Sequence, residues 1–331
     1  MVPLSVLDLV PVVQGSTPGE ALQKSLDLAR HTEALGFRRY WVAEHHNMTG
    51  IASAATSVVI GHLAGGTKKI RVGAGGVMLP NHSPLVIAEQ FGTLEALYPG
   101  RIDLGLGRAP GTDQIAVRAM RRDPRASDEF PEDVQELQAY FRPAQANQRI
   151  QAVPGAGLRV PLWILGSSLF GAQLAALLGL PYAFASHFAP AALSDALPIY
   201  RRKFEASEQL ERPHAMACVN VYAADTDAEG KRLFTSMQMA FTDLHRGARG
   251  LQKPPIDDID TYWSPSEKIA AGSMLTHSFV GSRETVKSGI ERFVQQTGVD
   301  ELMIVCGIFD HEARKRSYQI VAELFPEGMN A

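Results

Sequence analysis

The chain has 331 residues, of which 45% are hydrophobic and 20% charged, and it carries a formal net charge of −3. This composition is typical of a globular protein with a large core, and it excludes the basic surfaces that bind nucleic acid or anionic membranes. A small molecule is therefore the expected ligand.

Cysteine usage and the N-terminus indicate a reducing compartment. Cys218 and Cys306 lie inside apolar runs without metal-ligand or redox spacing, which favours buried free thiols over a disulfide. The first residues lack the basic and apolar regions of a signal peptide, so we expect a cytoplasmic protein.

Residues 160–194 contain no charged side chain, but Pro161, Pro181 and Pro190 interrupt them, which favours strand, helix and strand over a membrane span.

Strand and helix patterns alternate along the whole chain. Short apolar runs predict eight strands, over residues 4–10, 40–43, 70–79, 102–106, 161–165, 182–185, 215–223 and 301–306. Apolar residues at helical spacing predict the helices between and after them, over residues 20–35, 54–63, 85–97, 131–140, 169–178, 193–209, 227–245, 285–297 and 312–324. Continuous apolar strands indicate a parallel sheet covered by helices. Eight such units predict one α/β domain over residues 1–331, a closed (β/α)8 TIM barrel, with an open doubly wound sheet as the alternative.

One segment departs from the alternation. Residues 246–276 form an insertion before the last helix–strand unit, and they are too many for an ordinary connection. Such an insertion is a lid or binding loop, or else disordered; we expect a lid.

Polar residues and glycines mark the ends of the predicted strands, where barrels of this kind place their active sites. The candidates are Asp8, Glu44, His45, His46, Gly75, Gly76, Arg108, Ser167 and Ser168. Only one of the two adjacent histidines can enter the barrel, because neighbouring strand residues point to opposite faces. His82 or Asp8 could join it at a metal, but no zinc-binding spacing exists, so we expect no metal site.

Glycines and a cation suggest how a ligand would be held. Gly75 and Gly76 remove side chains from a β-branched strand, which favours a flat ligand against the backbone, with a bulge as the alternative. Arg108 suits a phosphate or carboxylate, with a surface ion pair as the alternative. Pro110 stands at the third glycine position of a dinucleotide fingerprint, which excludes that motif.

A serine turn precedes the predicted helix 169–178. Gly166, Ser167 and Ser168 form an anion-binding turn or a simple helix cap. The turn is not the Gly-x-Ser-x-Gly elbow of serine hydrolases.

Together these motifs resemble the bacterial luciferase-like flavin monooxygenases. The likeness covers residues 7–12, 41–46, 72–80, 100–108, 163–168 and 279–282. It implies a (β/α)8 barrel that takes reduced FMN from a separate NAD(P)H:flavin reductase and uses O2.

The resemblance also assigns roles to residues. His45 matches the catalytic histidine, with Glu44 as its neighbour near the flavin ring. His46 points to the opposite face by strand alternation, so we expect a structural role for it. Gly75 and Gly76 fall where the family has a non-prolyl cis peptide behind the ring. The phosphate clamp corresponds to Arg108, Ser167 and Ser168.

One position departs from the light-emitting members, which carry a reactive cysteine where this chain has Gly107. We therefore expect a non-luminescent, two-component FMN-dependent monooxygenase acting on a small apolar organic molecule. The alternatives are an F420-dependent hydride-transfer enzyme and a non-catalytic flavin-binding protein. FMN is favoured because the mouth motifs supply little positive charge besides Arg108, whereas F420 has an acidic tail. The resemblance also implies a homodimer. The small apolar residues 52–66 suit such a contact, and they would equally suit burial against the chain's own sheet.

Overall fold

The structure is a computed structural model, and it describes residues 1–123 and 125–329. Over these residues the strands are β1 (Leu4–Asp8), β2 (Arg39–Val42), β3 (Arg71–Met78), β4 (Ile102–Gly107), β5 (Leu162–Gly166), β6 (Tyr182–Phe184), β7 (Ala215–Ala223), β8 (Ser278–Gly281) and β9 (Glu301–Val305). The α-helices are α1 (Pro18–Leu35), α2 (Thr56–Gly66), α3 (Pro84–Leu97), α4 (Gln114–Ala119), α5 (Phe130–Phe141), α6 (Leu169–Leu177), α7 (Leu193–Lys203), α8 (Asp227–His245), α9 (Pro265–Met274), α10 (Arg283–Thr297) and α11 (His311–Leu324).

Eight of the strands close into a barrel. Strands β1 to β6 pair in chain order, β7 pairs with both β6 and β9, and β9 returns to β1. All these pairings are parallel, as expected when helices connect the strands. The predicted (β/α)8 barrel is therefore confirmed, and the alternative of an open sheet is wrong.

Strand β8 and helices α4 and α9 were not predicted. Strand β8 pairs only with the distal end of β7, Asn220 to Ala223, and so lies outside the closed ring. It is short and half-exposed, so no continuous apolar run marks it. Helix α9 lies inside the insertion 246–276. Its N-terminus has a sequence signature in Ser264 and Glu267, which form a capping box.

One predicted helix is too long. The pattern over residues 193–209 ends as α7 at Lys203, since Phe204 has extended backbone angles and the amide of Glu205 bonds to the carbonyl of Ala176.

The barrel interior is filled by side chains. An apolar cluster from six of the eight barrel strands and the residue after β2 occupies it: Leu7, Trp41, Ala43, Trp163, Ala183, Met216, Cys218, Met303 and Val305. Nearer the start of the strands, buried Arg39 forms ion pairs with Asp103 (2.8 Å) and Glu301 (2.9 Å). A ligand can therefore reach the barrel only from the end where the strands finish, which we call the mouth.

Residues 160–194 fold as the β5, α6 and β6 unit, with the start of α7. Across the described residues, no helix is both long enough and apolar enough to cross a membrane. Cys218 and Cys306 are buried free thiols, as predicted.

Candidate active site

Glu44 follows β2 and organises the loops around it. Its carboxylate accepts hydrogen bonds from His46 Nε2 (2.8 Å), His82 Nε2 (2.9 Å), Asn81 Nδ2 (3.0 Å) and the amide of Met78 (3.0 Å). Four donors match the lone-pair capacity of a carboxylate, so no acceptor site is left for a ligand. Burial opposes ionisation, but the hydrogen bonds from His46 and His82 outweigh it and lower the pKa of Glu44 to about 2. Glu44 therefore ties the end of β2 to the loop after β3.

His45 is the histidine left free. Its Nδ1 atom is buried and has no hydrogen-bond partner among the described residues. Burial lowers the pKa of His45, which keeps the imidazole neutral near pH 7. By contrast, the hydrogen bond to Glu44 raises the pKa of His46. The expected structural role of His46 agrees with this contact.

A second free imidazole, His187, was missed by the sequence reasoning. It follows β6, is 8% exposed, and also has a buried Nδ1 without a partner among the described residues. Burial, and to a smaller extent the charge that His45 carries when protonated, lowers the pKa of His187 to about 3. The available signal was the same as for His45, a histidine just after a predicted strand.

The glycines of β3 line the mouth with backbone. The Gly75–Gly76 peptide bond is cis, as the family resemblance implied. The pairing register with β4 shifts at this point, so the predicted bulge is present. A Cβ on Gly75 would lie 2.9 Å from the Trp41 ring, and one on Gly76 would lie 2.7 Å from the carbonyl oxygen of Gly105. Packing therefore requires both glycines, and a ligand against this backbone remains a proposal.

Arg108 lies beside the first turn of α6. Its guanidinium stacks on the Phe170 ring, 4.2 Å from the centroid. The side chain is exposed and forms no ion pair with any described residue, so the predicted alternative of a surface ion pair is wrong. Ser168 is the N-cap residue of α6, but its hydroxyl makes no capping hydrogen bond, and Ser167 and Gly166 precede it. The Arg108 cation therefore lies beside the uncapped first turn of α6, an arrangement that suits an anion.

Asp8 is not part of this cluster. Its carboxylate is fully buried and accepts hydrogen bonds from Arg314 (2.7 Å), the Tyr40 hydroxyl (2.5 Å) and the amide of Val10 (2.9 Å). Burial opposes ionisation, yet the charge of Arg314 keeps the pKa of Asp8 below its ordinary value. The contacts to α11 and to the Tyr40 side chain place Asp8 on the helix side of β1, while Leu7 points into the barrel. The expectation that Asp8 holds the cofactor therefore receives no support from its position.

The insertion reaches the mouth. The amide of Gln252 bonds to the carbonyl of Val12 (3.0 Å), and the amide of Gln14 bonds to the carbonyl of Gln252 (2.8 Å), so this segment pairs with the loop after β1. Nearby Arg249 is exposed, and its charge acts on His45. The position is suited to the predicted lid.

Metal-ligating side chains gather elsewhere. Within the part of the chain that the structure describes, the group close enough to share an ion is Asp27, His311 and Glu312, on the outer helices α1 and α11. None of the predicted site residues belongs to it.

Known proteins resemble this chain over almost its whole length. The family model of luciferase-like monooxygenases matches residues 3–301. A luciferase-like monooxygenase of Escherichia coli (strain K12) is 54% identical, over 98% of this chain and 97% of its own. The N-acetyl-S-alkylcysteine monooxygenase of Bacillus subtilis (strain 168) is 31% identical, over 98% of each chain. The crystal structure of apo-MsnO8 superimposes with a TM-score of 0.92 at 36% identity, covering 98% of this chain and 99% of MsnO8.

Two more distant structures share the fold. The oxygenating constituent of 3,6-diketocamphane monooxygenase from Pseudomonas putida, solved with FMN, has a TM-score of 0.73 at 18% identity and covers 98% of each chain. An F420-dependent secondary alcohol dehydrogenase has a TM-score of 0.71 at 16% identity, covering 99% of each chain.

Proposed function

The chain belongs to the luciferase-like monooxygenase family, and from this premise we propose that it is an FMN-dependent two-component monooxygenase. It would use reduced FMN and O2 to oxidise a small organic molecule. One observation carries the proposal. At one mouth, a cation without an ion-pair partner lies beside an uncapped helix N-terminus, and two neutral imidazoles have buried Nδ1 atoms without a hydrogen-bond partner among the described residues. Such a site suits a ligand with an anionic end and an uncharged polar ring.

The residues at the mouth fit FMN. Arg108 and the first turn of α6, preceded by Ser167 and Ser168, would hold the phosphate. The backbone at Gly75 and Gly76 would lie against the flat ring. Bound reduced FMN would supply the electrons needed to activate O2.

The chain's own side chains would prepare the site. The buried His45, neutral near pH 7, would hydrogen-bond at the ring and hold or release one proton at Nδ1. Below it, the apolar barrel interior excludes water, and the segment around Arg249 would close over the mouth as a lid.

The substrate and the electron donor complete the proposal. The apolar interior favours a small, largely apolar organic substrate, and the relative named for N-acetyl-S-alkylcysteine acts on a molecule of that size. A separate NAD(P)H:flavin reductase would supply the reduced FMN.

The test is a comparison of FMN with riboflavin, which lacks the phosphate. Arg108→Ala should weaken FMN binding about 10- to 100-fold, since a hydrogen bond to a charged group contributes about 1.5–3 kcal/mol. Riboflavin binding should not change. Fluorescence titration measures both affinities, with Arg118→Ala on α4 as the control for an exposed arginine.

The outcomes separate the candidates. Equal losses for FMN and riboflavin would mean that Arg108 does not hold the phosphate. Binding of F420 without FMN would favour the hydride-transfer alternative. A wild-type protein that binds neither ligand refutes the proposal.

We further propose a homodimer through α2 and α3. Val58 on α2 is 72% exposed and Val86 on α3 is 43% exposed, and the two helices are neighbours. Exposed apolar side chains on adjacent helices suit an interface. Analytical ultracentrifugation should give twice the monomer mass, and a monomer at micromolar concentration would refute the dimer.

A further inference from the structure

We propose that His187 is a second residue that contacts the bound flavin, opposite His45. The proposal rests on the FMN-dependent function inferred above and adds a ligand-contacting residue to it. It starts from the barrel order, in which β2 and β6 are four strands apart in a ring of eight. His45 follows β2 and His187 follows β6, so the two residues approach from opposite walls of the mouth.

The unused nitrogen atoms indicate a ligand between them. Buried polar atoms in proteins are nearly always hydrogen-bonded. Among the described residues the buried side-chain atoms without a partner are few, and two of them are the Nδ1 atoms of His45 and His187. Their coincidence at the one open end of the barrel points to a shared molecule that supplies the missing partners.

Local packing holds His187 in place without using its ring nitrogens. Its carbonyl accepts a hydrogen bond from Asn220 Nδ2 (2.7 Å), and the Ser186 hydroxyl bonds to the carbonyl of Cys218 (2.6 Å). The imidazole packs edge-on against Phe188, with ring centroids 4.8 Å apart. The ring is thus fixed by backbone bonds and apolar contact, which leaves its polar edge for a ligand.

The chemistry of the pair defines what it binds. Burial keeps both imidazoles neutral near pH 7, so each offers one donor and one acceptor rather than a charge. Charged groups that act on His45 come from the neighbouring loops, namely Glu44, His46 and Arg249. Two neutral imidazoles on opposite walls suit a planar, uncharged heterocycle with polar edges, which matches the flavin ring and not its phosphate.

The experiment uses FMN titration of the full chain. His187→Phe keeps a ring but removes both nitrogens, and it should raise the Kd for FMN about tenfold. His187→Asn retains a polar atom near the position of Nδ1, and it should stay within about threefold of wild type. The control is His277→Phe, because His277 is half-buried and packs against Phe293 on the outer helix α10. That change should leave FMN binding intact.

The results of these titrations decide whether His187 contacts the flavin. Equal weakening by His187→Phe and His187→Asn, or no weakening by His187→Phe, overturns the role of His187. Should His187→Phe not fold, the ¹⁵N imidazole resonances of wild-type His187, identified by their loss in His187→Asn, must shift on addition of FMN; unchanged resonances overturn the proposal. If the wild-type protein binds no FMN, the proposed function itself fails, which is a distinct result.

Discussion

Replacing Glu44 by Gln should remove a large, pH-dependent part of the stability. The carboxylate is 1% exposed, and its hydrogen bonds lower its pKa from 4.5 to about 2. At about 1.4 kcal/mol per pKa unit, this shift corresponds to about 3 kcal/mol of unfolding free energy at pH 6. Because the folded-state pKa is lower, the unfolded state binds the proton first. The stabilisation is therefore complete above about pH 4.5 and is lost as the pH falls towards 2.

The assay is urea unfolding, followed by far-UV circular dichroism, of the wild type and Glu44→Gln at pH 6 and pH 3. The difference in unfolding free energy should shrink from about 3 kcal/mol at pH 6 to about 1 kcal/mol at pH 3, as follows from the two pKa values. Glu323→Gln is the control, since that carboxylate is exposed and should contribute less than about 1 kcal/mol. A difference that stays constant between the two pH values would contradict the linkage to Glu44.

Two further substitutions test packing, with the same unfolding assay. Asp8→Asn should destabilise the protein by about 3–5 kcal/mol because it breaks the buried ion pair with Arg314, and the FMN affinity of the folded protein should not change. The control is Asp27→Asn, which removes an exposed ion pair and should destabilise the protein by less than about 1 kcal/mol. Gly105→Ala should destabilise by about 2–3 kcal/mol, because its Cβ would press on the carbonyl of Ala74, whereas Gly272→Ala, in α9 with open space around it, should stabilise by about 0.5–1 kcal/mol.

The barrel was predictable because its strands are buried on both faces. Each such strand is a continuous apolar run, and the run over residues 215–223 matches β7 residue by residue. Strand β8 has no such run, because it adds to β7 beyond the closed ring and stays half-exposed. An apolar run marks a strand only where burial is complete, so a half-exposed strand such as β8 carries no such pattern.

The site was predictable only in part, since the sequence shows which residues end a strand but not which way they face. Asp8 and His45 both lie near strand ends. Yet Asp8 turns towards Arg314 on α11, 306 positions away, a partner that no local pattern reveals. The placement of His187 and His45 at the same mouth is also tertiary, because it requires that the ring close with β2 and β6 on opposite walls.

Three consecutive polar residues follow β2, namely Glu44, His45 and His46, and their pKa values are shifted in different ways. Near pH 7, Glu44 is an anion held by hydrogen bonds, His46 keeps its proton to a higher pH because of Glu44, and His45 is neutral because it is buried without such a partner. The Glu44 carboxylate bonds to His46 and His82 and forms no hydrogen bond with the His45 ring. The ligand would therefore meet an uncharged surface at His45 and His187 and a cation at Arg108. That division matches a molecule whose ring is neutral and whose tail is anionic, which is the physical basis for preferring a flavin mononucleotide at this mouth.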